Sequence, residues 1–225
     1  MTTAGLRSAL NWAKKRRLIR DVPYVWVPTK PPPRDRVLTQ DEVLRLLDAC
    51  VMPHVRLFVL LALTTGGRSA ALLELEWSRV NFEAGTINLK RVEVVNPLTK
   101  KVRKGRAVVP MNGLARAALQ EAKAAAISDH VIEWNGEPIK KIRKGFSEAV
   151  RRAGLGSDVT PHVLRHTAAS WMEAAQIPMH QISRYLGHKD ERTTRTIYAH
   201  TDPSSLASAS DVLDLNIIRE AKKSR

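Results

Sequence analysis

The chain has 225 residues, 44% of them hydrophobic, and carries 37 Lys and Arg against 22 Asp and Glu, for a net charge of +15. That hydrophobic share supports a core and excludes an intrinsically disordered chain, while the charge excess points to a polyanionic partner, most simply DNA or RNA. One cysteine, Cys50, excludes a disulfide framework and a thiolate metal cluster, and the longest apolar run, Leu57 to Leu63, is too short to cross a bilayer. With no hydrophobic signal region at the N-terminus, the expectation is a cytoplasmic protein, nucleoid-associated when bound to DNA and without membrane contact.

In chain order, Ala4 to about Arg20 reads as a helix, with Leu6, Ala9, Leu10 and Ala13 on one face and a basic run behind them. A helix this short has nothing to pack on by itself, so residues 1–20 are expected to be the last helix of a preceding domain. Pro23, Pro28 and Pro31-Pro32-Pro33 follow, and proline this dense predicts an extended linker over 21–37. The main domain is expected over 38–225. Thr39-Gln40-Asp41-Glu42 is a capping box at its start. Val43, Leu44, Leu47 and Cys50 continue a helical stripe, and His54 to Leu63, apolar nearly all round, predicts a buried helix. Thr64-Thr65-Gly66-Gly67-Arg68 breaks it, and a new helix is expected from Ser69.

From Thr86 the periodicity changes. Thr86, Ile87 and Leu89 with Val92, Val94 and Val95 predict a strand, and Val108 and Val109 its return. Between them lies a basic hairpin tip that offers Lys100, Lys101, Arg103, Lys104 and Arg106. Asn112 is expected to cap a helix to about Ala126, and His130 to Trp134 to form a short strand closed by an Asn135-Gly136 turn. Lys140 to Ala153 reads as an amphipathic helix whose polar face carries Lys140, Lys141, Arg143 and Lys144. Further helices are expected over 161–175, 178–186, 191–199 and 203–213, with Pro161, Pro178 and Pro203 in first-turn positions. The fold class is mainly α with a small antiparallel β-sheet, an α+β domain.

The chemistry gathers near the C-terminus. Transfer of a phosphodiester onto a protein hydroxyl needs a nucleophile, cations on the non-bridging oxygens, a proton acceptor for the nucleophile and a donor for the leaving oxygen. Tyr198 offers the nucleophile. Arg68 and Arg165 offer the clamp, because a guanidinium grips phosphate through parallel donors and stays charged. His162, three residues before Arg165, suits the general base and is expected on the same side of that helix turn. His188 can donate to the phosphate, and a lysine of the hairpin tip, Lys101 or Lys104, to the departing oxygen. Cationic side chains perform the charge work, so no metal and no cofactor are expected. Taken singly, each of these residues has a plain structural reading. Their order and spacing make the set specific.

On these residues the chain resembles the tyrosine recombinases, most of all the phage and mobile-element integrases, from about Leu38 to Asp202. Thr65-Gly66-Gly67-Arg68 with Leu73-Glu74-Leu75-Glu76-Trp77 resembles the first arginine box, His162-Val163-Leu164-Arg165-His166-Thr167 the second, and Leu186-Gly187-His188 followed ten residues later by Tyr198 the third. The family often carries an acid three positions after the first arginine, where this chain has Ala71. The resemblance implies the tyrosine recombinase catalytic-domain fold, preceded by the end of a core-binding domain. It implies a 3′-phosphotyrosyl link on Tyr198, with the freed 5′ hydroxyl attacking a partner strand at double-stranded attachment sites. A homotetramer on DNA in the full-length protein is implied, with host or element DNA-bending proteins as possible accessories. A catalytic fragment is expected to be a monomer by itself. The C-terminal segment, Asp211 to Ile218, is expected on a neighbouring protomer or on its own domain. Two alternatives stand beside recombination: a type IB topoisomerase, and a DNA-binding protein whose active site is silent.

Overall fold

The computed structural model describes residues 3–28, 36–90, 107–187 and 209–214. The chain divides into two compact units, Met1–Asp35 and Arg36–Arg225.

In the first unit, α1 (Thr3–Lys15) buries none of its residues. It ends earlier than its sequence suggests because Arg17 turns left-handed, at φ 59. Leu18 N–H then reaches back to the Ala13 carbonyl and Arg17 N–H to that of Lys14, which satisfies the last carbonyls of the helix. Arg16 lies over the Trp12 ring, 5.0 Å from its centroid.

The second unit opens at Arg36, whose guanidinium pairs with Glu42 and reaches Asp158 at 3.4 Å. Glu42 also closes the capping box at the start of α2 (Gln40–Asp48): its carboxylate accepts from Thr39 N–H while Thr39 Oγ1 accepts from Glu42 N–H. Arg36 and the Thr39 N–H together hold the Glu42 carboxyl below its usual range. α3 (Pro53–Thr65) is the centre of the domain. Nine of its thirteen residues are buried, and it packs on α7 (Pro161–Ala174) and α5 (Gly113–Ala124). α2 packs against α6 (Arg143–Arg152). Helix α6 begins three residues later than its composition predicts. Ile139 N–H is still bonded to the Ile132 carbonyl, so Lys140 and Lys141 leave the preceding hairpin before the helix starts.

The sheet has the order β1 (Val80–Asn81), β2 (Thr86–Asn88), β3 (Val108–Pro110), all antiparallel. Val109 pairs with Ile87, and the Leu89 N–H to Ala107 carbonyl bond extends the ladder. The expected strand residues Val92, Val94 and Val95 lie outside the described residues. β1, which follows a single 3-10 turn (Trp77–Arg79), was not anticipated. Asn112 caps α5 through its side chain, as its position predicts. Asn135 and Gly136, both at positive φ, form the turn between β4 (Glu133–Trp134) and β5 (Glu137–Pro138). Pro161 occupies the first turn of α7, whereas Pro178 is the residue before α8 (Met179–Tyr185). The expected 191–199 helix and Pro203 lie outside the described residues.

Residues 209–214 are helical and lie on their own domain rather than reaching away from it. Ala209 and Leu213 are buried. Asn112 Nδ2 donates to the Ser210 carbonyl, Ser210 Oγ to the Pro110 carbonyl, and Gly113 N–H to Asp214 Oδ2. Of the segment expected on a neighbouring protomer or on its own domain, Asp211 to Asp214 packs on its own domain; the rest lies outside the described residues.

Candidate active site

Arg68 stands where α3 gives way to α4 (Ser69–Leu73). Gly66 makes the turn possible. Its φ of 57 is left-handed, and a Cβ there would sit 2.4 Å from Leu186 Cδ2. The turn leaves Arg68 half-buried at the start of α4, with its Nη1 directed to the Gly187 carbonyl at 3.4 Å.

Arg165 comes from α7 and is only 5% exposed. It donates through Nη1 to the Gly66 carbonyl at 2.7 Å and through Nη2 to the Leu186 carbonyl at 2.8 Å. These bonds join the α3–α4 turn, α7 and the end of α8. Arg68 and Arg165 line one small cleft with Thr65, Gly67, Ala71 and Leu186. Burial, and then the charge of Arg68, pulls the Arg165 guanidinium down to about 10. Two cations held this close in a partly dry site favour an anion between or beside them. The buried methyl of Ala71 lines the same cleft.

His162 and His166 lie on the exposed side of α7, while Arg165 points inward. The two imidazoles meet edge to face, with ring centroids 4.5 Å apart and planes at 78°. His162 stands three residues before Arg165 on the same helix, and its ring packs on that of His166 one turn further along. Lys140, Lys141, Arg143 and Lys144 are all exposed. Lys140 also borders an open cleft of about 600 Å³ lined by Glu74, Glu76, Arg79 and His130. Lys100, Lys101, Arg103, Lys104, Arg106, His188 and Tyr198 lie outside the described residues, although Gly187, next to His188 in sequence, holds the Arg68 contact.

One residue of this centre had no expected role. Tyr185 is buried and donates its hydroxyl to the Thr64 carbonyl at 2.7 Å. Burial raises its pKa strongly; Asp211 adds to the rise, and a bond with Ser210 opposes it. Its place between Arg184 and Leu186 carries no signal of that bond. Only the fold brings Thr64 to it.

The domain is mainly helical with a short antiparallel sheet, and Arg68 from the α3–α4 turn and Arg165 from α7 line one cleft, an arrangement that fits the catalytic-domain class of the tyrosine recombinases. The model of the phage integrase family matches residues 36–205, beginning where the second compact unit begins. The chain belongs to that family. It is 29% identical over 220 residues to the tyrosine recombinase XerC of Xanthomonas axonopodis pv. citri (strain 306), covering 92% of this chain and 68% of the relative. It is 31% identical over 196 residues to XerC of Pseudomonas aeruginosa (strain LESB58), covering 82% and 61%. The chain thus spans about three fifths to two thirds of the length of these relatives. Among solved structures, a lambda integrase (75-356) dimer bound to a COC' core site superposes with a TM-score of 0.66 at 22% identity, over 89% of this chain and 74% of that one.

Proposed function

We propose that this domain cleaves and rejoins DNA as a site-specific recombinase of the integrase type, through a 3′-phosphotyrosyl intermediate on Tyr198. The observation that carries the reading is the buried Arg165 beside Arg68, fixed by two backbone carbonyls. Those bonds use two of the five guanidinium N–H donors, and the others suit the non-bridging oxygens of a phosphodiester. A preorganised pair of this kind stabilises the charge that grows on phosphorus in the transition state without having to rearrange.

Of the chain's three tyrosines, Tyr185 is kept protonated by burial and spends its hydroxyl on Thr64. Tyr24 belongs to the N-terminal unit. Tyr198 is the remaining phenol and the one the spacing favours. Its oxygen attacks phosphorus and the 5′ oxygen leaves. His162 accepts the phenolic proton, His188 donates a hydrogen bond to the phosphate, and Lys104 or Lys101 protonates the departing 5′ oxygen. Attack by a 5′ hydroxyl of a partner strand on the phosphotyrosine reverses the step and frees Tyr198.

The remaining assignments belong to the same proposal. Residues 1–20 and 21–37 are the end of a core-binding domain and its linker, and 38–225 is the catalytic domain. Lys100, Arg103, Arg106, Lys140, Lys141, Arg143 and Lys144 grip the backbone of double-stranded DNA. On DNA the protein acts as a tetramer on two duplexes in the nucleoid, aided by DNA-bending proteins. Relaxation of supercoiled plasmid without an attachment sequence separates a topoisomerase from this reading. A recombinase needs the site; a topoisomerase relaxes any plasmid.

A further inference from the structure

His162 and His166 are one helical turn apart on α7, exposed, with ring centroids at 4.5 Å. Residues four apart on a helix stand side by side, and here the rings have already turned toward each other. Two imidazoles bound to one ion at metal–nitrogen distances of about 2.0–2.1 Å place their centroids roughly 5 Å apart. The observed centroid spacing of 4.5 Å is close to that distance.

From this we infer that His162 and His166 form a bidentate site for a borderline divalent transition metal, zinc or nickel, and that occupancy switches the catalytic centre off. The inhibitory half rests on the reading of His162 as the general base. An ion takes the ring-nitrogen lone pair of His162, the same lone pair that would accept the Tyr198 proton. Water completes the coordination sphere, since no group of three or more His, Cys, Asp or Glu side chains gathers to hold a metal among the described residues. Imidazole suits these metals, with affinity rising from cobalt through nickel to copper. The net charge of +15 opposes any cation, so affinity must come from chelation. Two ligands on one rigid helix bind together far better than either alone. The ion here is an inhibitor and takes no part in strand transfer.

Calorimetric titration of the full chain with zinc chloride tests the site without any reference to activity. One class of sites is expected to weaken by about a hundredfold in His162→Ala and equally in His166→Ala. The exposed His166→Asn serves as a second variant with a polar side chain. Unchanged zinc affinity in both His166 variants overturns the site. Cleavage of junction DNA is then followed in chelator and in excess zinc. Wild type should cleave only in chelator, whereas His166→Ala should cleave in both. Equal inhibition of wild type and His166→Ala by zinc overturns the switch. A wild type inactive even in chelator contradicts the recombinase reading and with it the switch, while the calorimetry still decides the metal site.

Discussion

Arg165 donates to the carbonyl of Gly66, 99 positions earlier in the chain, over 2.7 Å. Gly66 offers that carbonyl because it is left-handed, at φ 57. The turn that presents Arg68 and the side chain of Arg165 are therefore one mechanical unit, closed by Leu186 from the end of α8.

Replacing Gly66 with Ala should damage that unit. A left-handed non-glycine residue costs about 1–2 kcal/mol, and the added methyl must also displace the Leu186 side chain, 2.4 Å away. Chemical denaturation is expected to show a loss of that order, with cleavage falling more than DNA binding. A variant as stable and as active as wild type would contradict the coupling.

Arg165→Ala removes the clamp and strands two carbonyls. Leaving a buried acceptor without its donor costs about 1–3 kcal/mol, so some loss of stability is expected. Cleavage should fall by about a hundredfold or more, as for the loss of a preorganised transition-state donor. Arg165→Lys keeps a charge but cannot span the Gly66 and Leu186 carbonyls, so it should not restore cleavage. DNA binding, spread over many phosphates, should weaken only modestly in both. Single-turnover cleavage and filter binding measure the two effects separately.

What the sequence disclosed follows the range of the forces involved. The Thr39–Glu42 capping box, the Asn112 cap and the Asn135-Gly136 turn are each settled within four residues, and each forms as its local chemistry predicts. The fold class and the family were legible too, because the residue types and spacing of the arginine boxes are unusual together. The strand Val80–Asn81 is too short to show a periodicity. The start of α6 depends on Ile139 bonding to Ile132. The Arg165 carbonyl bonds, the Tyr185–Thr64 bond and the docking of Ser210 and Asp214 on Asn112 and Gly113 join residues 21 to 121 positions apart. No window of local sequence contains such partners.

Stability should decline on mild acidification through His54. Its ring packs on Trp134, and its Nδ1 is buried without a hydrogen-bond partner among the described residues. Burial lowers its pKa from the ordinary 6.5. The unfolded chain therefore binds the proton more readily, and folding stability falls as pH drops below about 6.5. Between about pH 7.5 and about pH 5.5, wild type should lose more in thermal midpoint than His54→Phe, which cannot titrate. Equal losses would exclude His54 as a source.

Binding to duplex DNA should fall steeply with salt, because phosphate contacts release counterions. Lys140 and Lys141 are exposed just before α6. Substituting both with Ala should flatten the slope of log K against log salt by about 2 if each neutralises one phosphate. An unchanged slope would remove them from the DNA grip.

The central claim is most directly tested by trapping the covalent intermediate. The protein is incubated with nicked DNA spanning an element–host junction, so that the short fragment carrying the freed 5′ hydroxyl diffuses away, and the products are resolved under denaturing conditions. The account predicts a protein–DNA adduct through the 3′ phosphate that maps to Tyr198 and is absent in Tyr198→Phe. An adduct that persists in Tyr198→Phe, or the absence of any adduct from wild type on its own junction DNA, would contradict it.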